Sequence, residues 1–211
     1  EGHKYLDALA GIAVNSVGHA HPRLVRAIAD QASKLIHCSN YFNIDLQEKV
    51  AEKLVEHSGL EAVFFCNSGL EANECAIKIA RKFGHAKGIE VPNIIVLKHA
   101  FHGRSIATLS ATGNPSVRED FSPYTEGFIF VDESDLDGIR KIVEENKNVV
   151  AIFFEPILGE GGVVPIDLSV INGIREICDE HDLLMMCDEV QCGMGRSGKW
   201  FAHQWAEIKP D

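Results

Sequence analysis

The 211 residues read as an open α/β layer with a mostly parallel sheet. From residue 63 onward, apolar runs of strand length alternate with amphipathic stretches of helical period, the pattern of helices packed on a parallel sheet. The clearest run, Leu183-Leu184-Met185-Met186-Cys187, is apolar on both faces and stops at the adjacent carboxylates of Asp188 and Glu189. A strand of that kind is covered on both sides, and ionised groups at its mouth are costly unless a cation or several donors meet them. Ligands of open parallel sheets bind beyond the carboxyl ends of the strands, so Asp188 is expected to face one.

The elements follow in order. Leu24, Val25, Ile28, Ala32, Leu35 and Ile36 recur at helical spacing over 21–37, with Pro22 in the first turn. A second helix is expected over 45–57, where Asp45 and Glu48 resemble a capping arrangement and Gly59 supplies the stop. Strands are then expected at 63–66, 93–97, 127–131, 149–154 and 183–190, and helices at 71–83, 134–146 and 168–181. No internal repeat, low-complexity segment or linker interrupts them.

Composition narrows the function classes. With 45% hydrophobic and 24% charged residues and no apolar run of membrane-span length, the chain is expected to be soluble and globular, with no membrane partner. A formal net charge of −11 argues against nucleic acid, whose binding needs a basic footprint. Six cysteines without short paired spacings suit reduced thiols in a reducing compartment, such as cytoplasm or, in a eukaryote, an organelle matrix. The sequence enters a structured pattern at once and stops at the turn signal Lys209-Pro210-Asp211, so a longer parent polypeptide is expected.

Four stretches can carry chemistry. Asn67-Ser68-Gly69-Leu70 joins a predicted strand to a predicted helix, where free backbone N–H groups and the helix dipole make an anion cradle; an ordinary helix cap is the alternative. Phe101-His102-Gly103-Arg104 follows the strand at 93–97, where an aromatic can lie on a heteroaromatic ring and the arginine can grip a carboxylate. The alternative is a loop with a packed Phe and a surface Arg. Glu155 ends the strand at 149–154 and Glu160 sits in the glycine-rich loop after it, a pair able to orient cationic groups around a ligand or, for Glu160 above all, to be solvated. A buried carboxylate at Asp188 suits the ring nitrogen of a pyridine cofactor, which it keeps protonated as an electron sink, and Gln191 can meet a ring hydroxyl.

Taken with Gly18-His19-Ala20-His21-Pro22, Ser39-Asn40-Tyr41-Phe42, Glu71-Ala72-Asn73-Glu74, Gly159-Glu160-Gly161-Gly162 and Gly193-Met194-Gly195-Arg196, these stretches resemble the class III pyridoxal-phosphate aminotransferases over essentially the whole chain. The resemblance is strongest to the branch acting on N2-acetylornithine. It implies a fold-type I large domain, incomplete at both ends, in which 1–44 belong to the small domain and subunit interface and 45–211 to the cofactor-binding domain. It implies that Ser68, Gly69 and Leu70 hold the phosphate of pyridoxal 5'-phosphate and that Phe101 stacks on its ring, with His102 beside it. Asp188 would pair with the ring nitrogen, Val190 pack the opposite face and Gln191 meet the phenolic oxygen. Arg104 would bind the substrate α-carboxylate, Glu155 would lie in the substrate region, and Glu160 would match an acid that holds a switching arginine. The implied reaction moves an amino group from N2-acetylornithine to 2-oxoglutarate in arginine biosynthesis, in a homodimer, with ornithine, succinylornithine and N-succinyl-diaminopimelate as alternative donors. Leu158 and Cys192 stand where many relatives have Gln and Thr.

The family's Schiff-base lysine is implied to follow the Pro-Asp turn, beyond Asp211, and Lys78, Lys98 and Lys209 do not match it; the isolated piece is therefore expected to be inactive. Three other readings are weaker. Gly193-Met194-Gly195-Arg196-Ser197-Gly198 has dinucleotide spacing, but Lys199-Trp200-Phe201 is not a helix start. His19-Ala20-His21 could be a metal pair but lacks a third ligand at convincing spacing. A non-catalytic binding or assembly fragment is the alternative from a different functional class.

Overall fold

The computed structural model describes residues 2–211. The chain forms two compact units, Glu1–Val63 and Phe64–Asp211. The first holds α1 (Ala10–Ala13), α2 (Pro22–Ala32) and α3 (Asp45–Ser58). α2 begins with Pro22 at its first turn, where a missing N–H costs nothing, and the His21 ring accepts from the Arg23 N–H at 3.3 Å. α3 ends at Gly59, whose φ of 72° is the left-handed geometry that closes a helix. Asp45 is not its cap: Ile44 occupies that position, and Asp45 and Glu48 lie in the first turn, where the helix dipole favours acids. α3, which the sequence assigns to the larger domain, falls in the first unit.

The second unit follows as α4 (Gly69–Ala86), β1 (Asn93–Leu97), α5 (Ile106–Ala111), α6 (Pro115–Arg118), β2 (Phe128–Val131), α7 (Leu136–Glu145), β3 (Val149–Phe154), β4 (Ile157–Leu158), β5 (Val164–Pro165), α8 (Leu168–His181), β6 (Leu184–Cys187) and a 3-10 turn at Ala202–Ala206. The sheet order is β2-β1-β3-β6 and every neighbouring pair is parallel, while β4 and β5 make a separate antiparallel hairpin. Alternation along the strands divides the core in two. Ile94, Val96, Ala151 and Phe153 pack with Ile77 and Ala80 of α4 on one face. Ile95, Leu97, Ile152 and Phe154 pack on the other with Ile139 of α7 and with Ile171, Ile174 and Ile177 of α8. Helices on both faces force the site to the sheet's edge, at the carboxyl ends of β1, β3 and β6.

Two of the expected strands differ in the structure. Residues 63–66 have no regular structure and pair with no strand among the described residues, and Phe64 is exposed, since a β-rich composition makes a strand only when a ladder partner is present. β6 is an edge strand that ends at Cys187; Leu184, Met186 and Cys187 are only half-buried. One further ladder bond, from the Asp188 N–H to the Phe154 carbonyl at 2.8 Å, carries the chain to the carboxylate before it turns away. No helix among the described residues is long and apolar enough to cross a membrane.

Candidate functional site

The loops leaving β1, β3 and β6 meet the N-terminus of α4 around a cavity of about 260 Å³. Gly69, Leu70, Phe101, Arg104, Asp188 and Gln191 are in its wall, so the parts singled out from three separate stretches share one space. His102, Glu155 and Val190 also line it.

Asp188 is buried and met from the protein side by three nitrogen groups. Its Oδ2 accepts from Asn73 Nδ2 at 2.7 Å and is 2.8 Å from His102 Nδ1, while Oδ1 accepts only from the Val190 backbone N–H at 3.1 Å. The two oxygens are therefore unequal, and Oδ1 retains capacity for a further donor. His102 is stacked on Phe153 with ring centroids 3.9 Å apart, which fixes the plane of the imidazole. Its Nε2 is buried with no partner.

Asn73 was not identified from the sequence, although a signal was present. The buried positions of α4 are Asn73, Ile77, Ala80 and Gly84, so an amide sits in the apolar stripe of an amphipathic helix. A buried amide in such a stripe demands partners. Here Nδ2 bridges Asp188 and the His102 carbonyl, at 2.7 and 2.9 Å.

Glu155 joins two loops. Its Oε1 accepts from the Phe101 N–H at 2.8 Å and its Oε2 from the Gly159 N–H at 3.0 Å. Burial pushes its carboxyl above the usual glutamate range; the two amide bonds oppose the rise and the nearby Asp188 adds to it. Phe101, held through its own backbone, presents a half-buried ring to the cavity, and the exposed Arg104 guanidinium lies 5.7 Å from that ring's centre with no acidic partner among the described residues. The Gly159 turn lies against Gln191: a Cβ at Gly159 would come within 2.4 Å of the Gln191 side-chain oxygen.

At the α4 terminus, Gly69 and Leu70 occupy the first turn, whose N–H groups have no partner within the helix. Ser68 caps the helix, its Oγ accepting from the Glu71 N–H at 3.3 Å, and Glu71 in turn accepts from the Asn67 N–H at 2.6 Å. Gly69 is required by contact as much as by the anion cradle, since a Cβ there would meet both Val190 methyls at 2.6 Å. The helix terminus and the Asp188 loop are thus packed directly together. Ser68 is exposed and outside the cavity wall, and Glu160 is likewise exposed, on the β4–β5 hairpin.

The remaining motifs have structural partners. Glu189 turns away from Asp188 to accept from the Ala202 and His203 N–H groups at 2.5 and 2.8 Å, and lies 2.7 Å from His203 Nδ1. Residues 193–198 form turns with no helix start after them. His19 pairs with Asp7, and His21 caps α2. Lys98 pairs with Asp132 at 2.9 Å, and no lysine is among the residues lining the cavity.

Residues 1–211 match the family model described as aminotransferase class-III. The chain is 52% identical over 211 residues to the acetylornithine aminotransferase of Nitrosomonas europaea, covering all of this chain and 54% of that protein. Against the acetylornithine aminotransferase of Methanocaldococcus jannaschii it is 46% identical, again over all of this chain and 53% of the relative. Among solved structures, the ornithine aminotransferase of Toxoplasma gondii ME49 superposes with a TM-score of 0.94 at 33% identity, covering all of this chain and 50% of that one. The N-acetylornithine aminotransferase of Stenotrophomonas maltophilia K279a gives 0.82 at 39% identity, covering 96% and 50%. The chain spans about half the length of the relatives it matches.

Proposed function

Given that this chain belongs to the class-III aminotransferase family, we propose that the complete protein is a pyridoxal 5'-phosphate enzyme that transfers the ω-amino group of N2-acetylornithine to 2-oxoglutarate, a step of arginine biosynthesis. The observation that carries the reading is the convergence of an anion-type helix terminus, an aromatic face, a buried carboxylate and a free arginine on one cavity. The names of the relatives support the donor.

The residues present fit the cofactor. The missing Cβ of Gly69 lets Val190 pack against the α4 terminus, and the first-turn N–H groups of α4 suit a phosphate. Asp188 would accept the ring N–H of the cofactor, Oδ1 being its less-served oxygen, while Asn73 and His102 contact Oδ2. Phe101 and Val190 supply apolar faces, and Gln191 an amide for the ring oxygen. When bound, the cofactor supplies a carbonyl to accept the amino group and a protonated ring to take up electrons. Arg104 binds the substrate α-carboxylate in a two-pronged contact, which fixes the carbon presented to the base.

The base, and the point of covalent attachment, is a lysine outside these 211 residues, and this piece alone does not turn over. We assign 1–44 to the small domain and subunit boundary of a cytoplasmic homodimer. The test is a donor panel on the complete protein with 2-oxoglutarate as acceptor. Acetylornithine should give the highest kcat/KM; preference for ornithine or a succinylated donor overturns the substrate, and absence of any amino transfer overturns the activity. Borohydride reduction separates the role of the piece, since a phosphopyridoxyl adduct on one of its own lysines, with turnover, refutes it.

A further inference from the structure

Glu74 lies on α4, five residues beyond the helix terminus, and outside the cavity wall. Its Oε1 accepts a hydrogen bond from the Oγ of Ser105, the residue directly after Arg104. Ser105 also caps α5: its Oγ is 2.7 Å from Thr108 Oγ1, and its N–H donates to Thr108 Oγ1 at 3.1 Å. Two other side chains of α4 hold the same loop. Asn73 donates to the His102 carbonyl at 2.9 Å, and Leu70 packs beneath Gly103, where a Cβ would lie 3.3 Å from Leu70 Cγ and 2.7 Å from Thr108 Oγ1. Positions 70, 73 and 74 share one face of a helix, and they meet residues 103, 102 and 105. The backbone on either side of Arg104 is therefore fixed to the helix whose first turn forms the anion cradle, whereas the Arg104 side chain itself is exposed and has no acidic partner among the described residues.

We propose that Glu74 is a positioning residue for carboxylate recognition: through Ser105 it sets the distance and direction of Arg104 relative to the cofactor cradle. The inference rests on Arg104 being the carboxylate-binding group of the proposed enzyme. Alone, Arg104 could sample many rotamers over an open rim, and a fixed Cα removes part of that freedom before the substrate arrives. A carboxylate at position 74 suits this role because Ser105 must donate, leaving its lone pairs to accept from the α5 terminus.

The test uses the complete, cofactor-loaded protein and glutarate, a dicarboxylate that cannot accept an amino group. Glu74→Ala should weaken glutarate binding by roughly tenfold in titration calorimetry and raise the KM for 2-oxoglutarate by the same factor, with kcat and cofactor affinity held within about twofold. Glu74→Gln, which keeps an acceptor oxygen, should restore binding to within about twofold of the parent. Ser105→Ala removes the same bond from the other side, so it should reproduce the effect, and combining it with Glu74→Ala should add little. Unchanged glutarate affinity in both Glu74→Ala and Ser105→Ala overturns the proposal, as does a parallel loss of cofactor affinity, which would mean that α4 itself had shifted. Arg104→Ala separates the two levels of the argument: if it binds glutarate as tightly as the parent, the carboxylate role of Arg104 fails, and with it the basis for Glu74.

Discussion

Replacing Gly69 by alanine tests whether the cradle and the Asp188 loop are one mechanical unit. The added Cβ would stand 2.6 Å from both methyls of Val190 and 3.2 Å from its Cβ. Carbon atoms pack at about 3.5–4.0 Å, so the two must separate by roughly 1 Å. Rotation of Val190 gives little relief, because both methyls are equally close and the Cβ follows. The strain therefore passes to the backbone at 190, whose N–H donates to Asp188 Oδ1. Overpacking of this kind costs about 1–3 kcal/mol. If it is released when the site opens, cofactor affinity in the complete protein should fall roughly 5- to 150-fold. Val190→Ala deletes both methyls and leaves only the 3.2 Å contact, so the double variant should recover most of the loss, with a coupling of about 1–2 kcal/mol in a double-mutant cycle. Titration of the apoenzyme with cofactor, followed by absorbance, measures all four proteins. A Gly69→Ala protein that binds like the parent, or a double variant no better than Gly69→Ala alone, refutes the reasoning.

Three further outcomes follow from the same geometry. Asp188→Ala should lower kcat by at least about a hundredfold with a smaller change in substrate KM, measured by steady-state and single-turnover kinetics, because the residue acts on charge that develops during reaction. His102→Phe keeps a ring over Phe153 but deletes the Nδ1 contact to Asp188; it should cost about 1.5–3 kcal/mol of cofactor-linked stability, read as a smaller rise in melting temperature on adding cofactor than in the parent. Glu155 carries a raised carboxyl, so its protonated form favours the folded state: that contribution is fully present below its unfolded value of 4.5 and is lost as pH rises through the higher folded value. Urea unfolding should accordingly show the stability difference between parent and Glu155→Gln shrinking with rising pH across that window if Gln is the less stable, and a pH-independent difference would contradict it.

The sheet was legible because its strands advertise themselves through burial. Asn93–Leu97 and Val149–Phe154 are continuous apolar runs of strand length between clear helical periods, and both were bounded to the residue. The cap of α4 is likewise a local matter of Ser68, whereas Asp135 and Asp167, which cap α7 and α8, emerge only from the structure. What escaped depends on partners distant in sequence. The segment 63–66 has the composition of a strand, but composition supplies no ladder partner. α5 is a six-residue helix held by the Ser105–Thr108 capping box and tied to Glu74, with too short a period to register as an amphipathic pattern.

The site divides along the same line. Asp188, Phe101 and Gln191 follow strands at a sheet edge, so their place could be argued from strand ends alone, and the cavity joins them. Asn73 could not be placed that way, since its partners lie 29 and 115 residues away and only the fold sets the distance. Glu155 illustrates the converse. Its position at the end of β3 was evident, yet its work is set by the Phe101 and Gly159 amides that converge on it. A strand end fixes where a carboxylate sits, while the loops that reach it fix whether it meets substrate or holds other residues in place. That is why the side chains facing the cavity could be read from sequence further than the Asn73, His102, Glu155 and Glu74 contacts that hold them there.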